Sequence, residues 1–133
     1  MKDNSNKILR LKLKMSKQIG KKKFAKAILT GLGILELDSQ DYQVHQKIAE
    51  LYQKQGNKQL AVKHYTQTAI LYEINGFYQK AIAAYNMVLK IEPNDPEISN
   101  KIDELTEKIE QEKNKPKIGK SPSDNPLRKF CRT

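Results

Sequence analysis

The sequence predicts an all-α fold, a stack of antiparallel helical hairpins with about six helices. Three observations carry this. From Lys7 to Lys113 apolar residues recur at three- and four-residue steps, the period of a helix buried on one face. Breaks at Gly20, Asp38, Gly56, Gly76 and Pro93 cut that tract into pieces of helix length. The pieces are also related by offset: Ala27 to Ala61, Ile28 to Val62 and Gly31 to Tyr65 are each 34 residues. A shorter step of 20 residues joins Gly56 to Gly76, Ala61 to Ala81, Tyr65 to Tyr85, Ala49 to Ala69 and Tyr52 to Tyr72. Units that recur in this way bury their apolar faces by stacking on one another.

Residues 1–6 are polar and read as a disordered N-terminus. From Lys7 two patterns compete, because Leu9, Leu11, Leu13 and Met15 alternate with Arg10, Lys12 and Lys14 as in a strand, whereas Ile8, Leu11, Met15 and Ile19 form a helical stripe. Helix is the consistent choice, since a lone strand finds no partner elsewhere in the chain. Gly20 to Lys23 reads as a turn, and Phe24, Ala27, Ile28, Leu32 and Leu35 outline the next helix. Gly31 and Gly33 each cost that helix about 1 kcal/mol relative to alanine, which points to close approach of a neighbour. Asp41 is placed to cap a helix over 42–55, and Gly56-Asn57 ends it. A longer helix follows to about Asn75, with Ala61, His64, Tyr65, Thr68, Ala69, Leu71 and Tyr72 inward. The segment from Phe77 to Glu92 is stopped by Pro93. Asp95-Pro96-Glu97 is a strong helix start, opening a last helix to about Lys113 whose apolar residues are Ile98, Ile102, Leu105 and Ile109. One apolar stripe on an otherwise charged helix suits the end of a stack.

The repeat frames are therefore 7–41, 42–75 and 58–95, with the helix from 58 to 75 serving two frames, and 96–113 as a capping helix. Residues 114–133, rich in Pro, Ser and Lys, read as a disordered basic tail.

The net charge of +10 is unevenly spread. Residues 1–35 carry +9, residues 36–113 carry −4 and residues 114–133 carry +5, so basic ends flank a mildly acidic middle. Cys131 is the only cysteine, which excludes an internal disulfide and a cysteine-based zinc site. No apolar run approaches the roughly 20 residues of a membrane span, and no secretory h-region follows the basic start. Arg10 is the one arginine in the first 35 residues, unlike an arginine-rich transit peptide, so the expected location is the cytoplasm.

The tract Gly76 to Pro93 is similar to the second helix of a tetratricopeptide repeat, and Ala49-Glu50-Leu51-Tyr52 with Gly56 resembles the family's first-helix motif. The 34-residue step is that family's period. The resemblance covers residues 20–95 and extends more loosely to 7 and 113, in the manner of a short bacterial-type member. Its structural positions are Ala27, Ala49, Tyr52, Gly56, Ala61, Tyr65, Gly76, Ala81, Tyr85 and Pro93. Two positions depart from the pattern: His45 stands where the family has a large aromatic, and Ser39 replaces the proline that ends the repeat.

The resemblance implies a right-handed superhelical stack, and a non-catalytic scaffold or adaptor whose first helices line a groove for a segment of another protein. Gln43, Gln46, Glu50, Gln53 and Lys54 are the candidate groove residues. Family members that grip a C-terminal carboxylate use a Lys and Asn clamp, and here Gln46 and Glu50 occupy those places, which argues against that ligand class. No enzyme or cofactor is expected, because His45 and His64 are the only histidines and read as packed core residues on different helices. The alternative function is binding of RNA or an anionic membrane surface by the basic N-terminal region, with Lys12, Lys14, Lys21, Lys22 and Lys23 as its patch. Phe24 is the one aromatic residue there, which serves base stacking poorly. With barely three units and a basic first helix lacking a cap, self-association into a homo-oligomer is a further expectation.

Overall fold

The computed structural model describes residues 4–114. Within them the chain forms six α-helices and no strand: α1 (Ser5–Gly20), α2 (Phe24–Leu37), α3 (Tyr42–Lys54), α4 (Lys58–Ile74), α5 (Tyr78–Ile91) and α6 (Pro96–Asn114). Helix α1 starts two residues before the expected Lys7, so Ser5 and Asn6 are helical rather than part of a disordered end. Asn114 likewise closes α6 instead of opening the tail. Residues 1–3 and 115–133, which hold most of the expected basic tail together with Phe130 and Cys131, lie outside the described residues.

Each helix packs on the one before and the one after, so α1 and α6 stand at opposite ends of the stack. The turns are short because their chemistry is specific. After α3, Gly56 takes φ +79°, its N–H donates to the Gln53 carbonyl (3.0 Å), and the Asn57 N–H reaches back to Tyr52 (2.9 Å). This is the Schellman arrangement, which satisfies the last helical carbonyls and favours glycine. It recurs after α4, where Gly76 has φ +83° and Phe77 donates to Tyr72 at 2.8 Å. After α1 the same bonds form around Lys22, held at φ +61° without the freedom of glycine. Side-chain oxygens of Asp41, Asn57 and Asp95 accept from Val44, Leu60 and Ile98 N–H groups, capping the starts of α3, α4 and α6.

Two apolar clusters fill the interior. Met15, Ala27, Ile28, Ile34, Val44, Ile48 and Leu51 join α1, α2 and α3. Ala49, Ala61, Tyr65, Ala69, Tyr72, Ala81, Ala84, Tyr85, Val88, Ile98 and Leu105 join α3 to α6. Half-buried Tyr52 packs against both clusters, linking the two halves of the stack. Ala27, Ala49, Ala61 and Ala81 have no exposed surface, as close helix packing requires. Gly31 is wedged between α1 and α3, whereas Gly33 faces open space, so close approach accounts for one of the two glycines.

Helix α4 packs along α3 on one side and α5 on the other. The same bond marks both seams: Tyr65 Oη donates to Gln53 Oε1 (2.9 Å) and, 20 residues on, Tyr85 Oη donates to Glu73 Oε1 (3.2 Å). Burial and the adjacent Glu73 hold the Tyr85 hydroxyl well above the ordinary phenol range, so it remains a donor. Lys101 extends this seam to α6 through Glu73 Oε2 at 3.0 Å.

Candidate functional site

The caps and turns set α3 and α5 as two walls, with α4 between and beneath them. Along α3, Gln43, Gln46, Glu50, Gln53 and Lys54 all border the resulting groove. Tyr65 and Tyr72 of α4 form its floor, and Lys80, Ala83, Ala84 and Met87 of α5 form the opposite wall. Three adjoining depressions of about 300, 370 and 460 Å³ share these residues and make one open trough.

The five residues read from the sequence are thus brought to one face, but they are not equally available. The Gln53 amide oxygen is taken by the Tyr65 hydroxyl. Gln46 Nε2 lies 3.4 Å from Glu50 Oε2, a long bond between neighbouring turns of α3. The Lys54 ammonium stands 5.8 Å from the centre of the Phe24 ring, leaning towards α2. Burial and the Glu50 carboxylate push the Tyr65 hydroxyl up to about 12, so the floor presents a neutral phenol at all physiological pH values.

The α5 wall was missed by sequence reasoning. Its signal is the exposed Ala83 and half-buried Met87 between the buried positions Ala81, Ala84, Tyr85 and Val88. Small side chains at Ala83 and Ala84 give the trough depth, and Met87 gives it an adaptable apolar surface. At one end Tyr42, Tyr72 and Phe77 cluster with ring centroids 4.6, 6.4 and 6.3 Å apart. Lys80 covers this cluster, 5.9 Å from the Tyr72 ring and 5.5 Å from Phe77. Burial, and Tyr42 beside it, raise the Tyr72 hydroxyl above its ordinary value.

His45 and His64 are buried as expected, yet they meet: their Nδ1 atoms are 3.1 Å apart. The Ser39 carbonyl accepts from His45 Nε2 at 3.0 Å. With both rings neutral, His45 Nδ1 then accepts from His64 Nδ1–H. Tyr52 stacks on His64 at 5.8 Å. Burial chiefly, then His45 and Lys63, lowers His64 to about 4. This pair is buried between α3 and α4 and lines none of the three depressions that make the trough.

In the N-terminal patch Lys14, Lys21, Lys22 and Lys23 are exposed. Lys12 is withdrawn from it, because its ammonium is 2.7 Å from Asp41 Oδ2 and ties α1 to the cap of α3. Among the described residues no group of three or more His, Cys, Asp and Glu side chains is arranged to hold a metal ion. No helix among them is long and apolar enough to cross a membrane.

The antiparallel hairpins, the repeated glycine turns and the tyrosine bonds that recur between neighbouring helices make this a tetratricopeptide-like helical repeat. No protein-family model matches the chain, and no curated protein matches it. Among solved structures, it is similar to the Yersinia enterocolitica type III secretion chaperone SycD in complex with a peptide of the translocator YopD, at 16% identity and a TM-score of 0.47, covering 77% of this chain and 95% of that one. It is also similar to the first tetratricopeptide domain of Spaghetti (RPAP3) bound to an HSP90 peptide, at 21% identity and a TM-score of 0.43, covering 79% and 97%. A third is the Sgt2 tetratricopeptide domain from Aspergillus fumigatus, at 16% identity and a TM-score of 0.43, covering 82% and 83%.

Proposed function

We propose that the chain is a non-catalytic adaptor that holds a segment of another protein in the trough between α3 and α5. The carrying observation is the trough itself: polar and cationic side chains from α3 and α5 border an apolar strip of Ala83, Ala84 and Met87 over a tyrosine floor. Such a surface offers a peptide apolar burial with a few orienting polar groups. The non-catalytic reading is supported by the two histidines being paired with each other inside the protein rather than facing the trough. The repeat frames 42–75 and 58–95 belong to the same proposal, supported by the recurrence of the tyrosine bond on both faces of α4.

The test is selection of binding peptides from a random library, followed by affinity measurement on Ala83→Arg. Ala83 is exposed, so the variant should keep its melting temperature while its arginine fills the trough. Selected peptides should lose at least tenfold in affinity, about 1.4 kcal/mol. Equal affinity for the variant would overturn the groove as the binding site, and a Glu50→Lys variant, altering the opposite wall, checks the same conclusion independently.

A further inference from the structure

Helix α1 carries a surface that neither the core nor the trough uses. Its five cations, Lys7, Arg10, Lys12, Lys14 and Lys17, are accompanied by no acidic residue. Once Lys12 is bound to Asp41, the remaining four fall at steps of three, four and three, one continuous exposed stripe along the helix. Leu9 and Leu13, one turn apart, are each 57% exposed and adjoin that stripe through Arg10 and Lys17. Leu9 and Leu13 stand apart from Ile8, Leu11, Met15 and Ile19, which pack into the core, and are separated from them around the helix by Lys12 and Ser16, so they form a second, solvent-facing apolar strip. The exposed lysines of the α1–α2 turn lengthen the cationic side at one end.

We propose that this face of α1 docks the protein on an anionic lipid surface, with Leu9 and Leu13 entering the headgroup boundary and the cationic stripe meeting the headgroups. A bilayer interface supplies the two complements together, negative charge and an apolar layer. RNA supplies charge, but α1 offers no aromatic side chain for a base to stack on. A second copy would have to bring its acidic end, α6, where six carboxylates outnumber three lysines. That helix has no exposed large apolar side chain with which to cover the leucines. The same acidic helix stands at the far end of the stack and is repelled by a negative surface, which orients the molecule with α1 inward.

The experiment is co-flotation of the full chain with vesicles of phosphatidylcholine alone and of phosphatidylcholine with phosphatidylserine, at low and high salt. Binding is expected to the anionic vesicles only and to weaken as salt screens the headgroups. Lys14→Glu with Lys17→Glu should lower the partition coefficient at least roughly tenfold, because each cation near such a surface is worth about fivefold. Leu9→Ser with Leu13→Ser should also lower it, and circular dichroism should find both variants as helical and as stable as the parent. Equal binding to neutral vesicles, no binding at low salt, or undiminished binding by the lysine variant would each overturn the proposal, the last by assigning attachment to another basic segment. Tighter binding to an RNA oligonucleotide than to the vesicles, or a dimer in light scattering that the leucine variant dissolves, would overturn it in favour of those partners.

Discussion

Gly31 and Gly33 lie two positions apart on α2, share the same helical backbone and differ in what surrounds them. Replacing either with alanine relieves the same propensity cost, about 1 kcal/mol. At Gly33 an added Cβ meets nothing within 4 Å, so the whole gain should appear as stability. At Gly31 it would lie 2.9 Å from Ile48 Cγ1, 2.9 Å from Met15 Cε and 3.0 Å from Ile48 Cδ1. Carbon atoms pack at about 3.5–4.0 Å, so all three contacts are compressed. Met15 Cε is the end of a flexible chain and can turn aside. Ile48 Cγ1 is held close to its backbone in a side chain with no exposed surface, so relief requires α2 and α3 to part. Overpacking of this kind costs about 1–3 kcal/mol, which leaves Gly31→Ala between neutral and about 2 kcal/mol destabilising. Since propensity cancels between the two variants, their difference of about 1–3 kcal/mol isolates the clash. Urea denaturation followed by helical circular dichroism gives both free energies, with equal m-values as the check on two-state behaviour. Equal stabilisation by both variants would refute the close seating of α2 between α1 and α3.

Two further outcomes follow from local geometry. Lys22 occupies the left-handed turn position that Gly56 fills 34 residues later, so Lys22→Gly should stabilise the protein by about 0.5–1 kcal/mol, read as a raised urea midpoint. An unchanged midpoint would mean that the turn relaxes without strain. His64 is lowered from 6.5 to about 4, so below pH 6.5 the unfolded chain takes up a proton that the folded chain refuses. Stability contributed by the neutral ring is fully present above that value and declines down to about pH 4, by roughly 2 kcal/mol between about pH 7 and pH 5. Urea midpoints at the two pH values check this, and His64→Phe should flatten the dependence. A variant with the same pH slope as the parent would place the titration elsewhere.

Much of the fold was legible because helices are written locally. Asp41 and Asp95 as caps, Gly56-Asn57 and Gly76 as stops, and the three- and four-residue apolar steps place every boundary within two residues. The buried alanines and tyrosines were legible through their offsets, which preserve the close contacts of one helix pair in the next. The candidate trough was half legible. Its α3 wall follows from the position of that helix in the repeat, whereas Lys80, Ala83 and Met87 become its partners only when α4 sets the spacing between α3 and α5.

What the sequence by itself determined, then, is the set of helices, their ends and the faces they bury, since caps, turn residues and apolar period act within a few residues of where they stand. Tertiary structure decided what those faces meet. It paired His45 with His64 across 19 positions, drew Lys12 out of the basic stripe to Asp41, and distinguished Gly31 from Gly33 by a neighbouring isoleucine. Each depends on the distance and rotation between helices, and those are set by how side chains of many residues interlock rather than by any one segment's own preference.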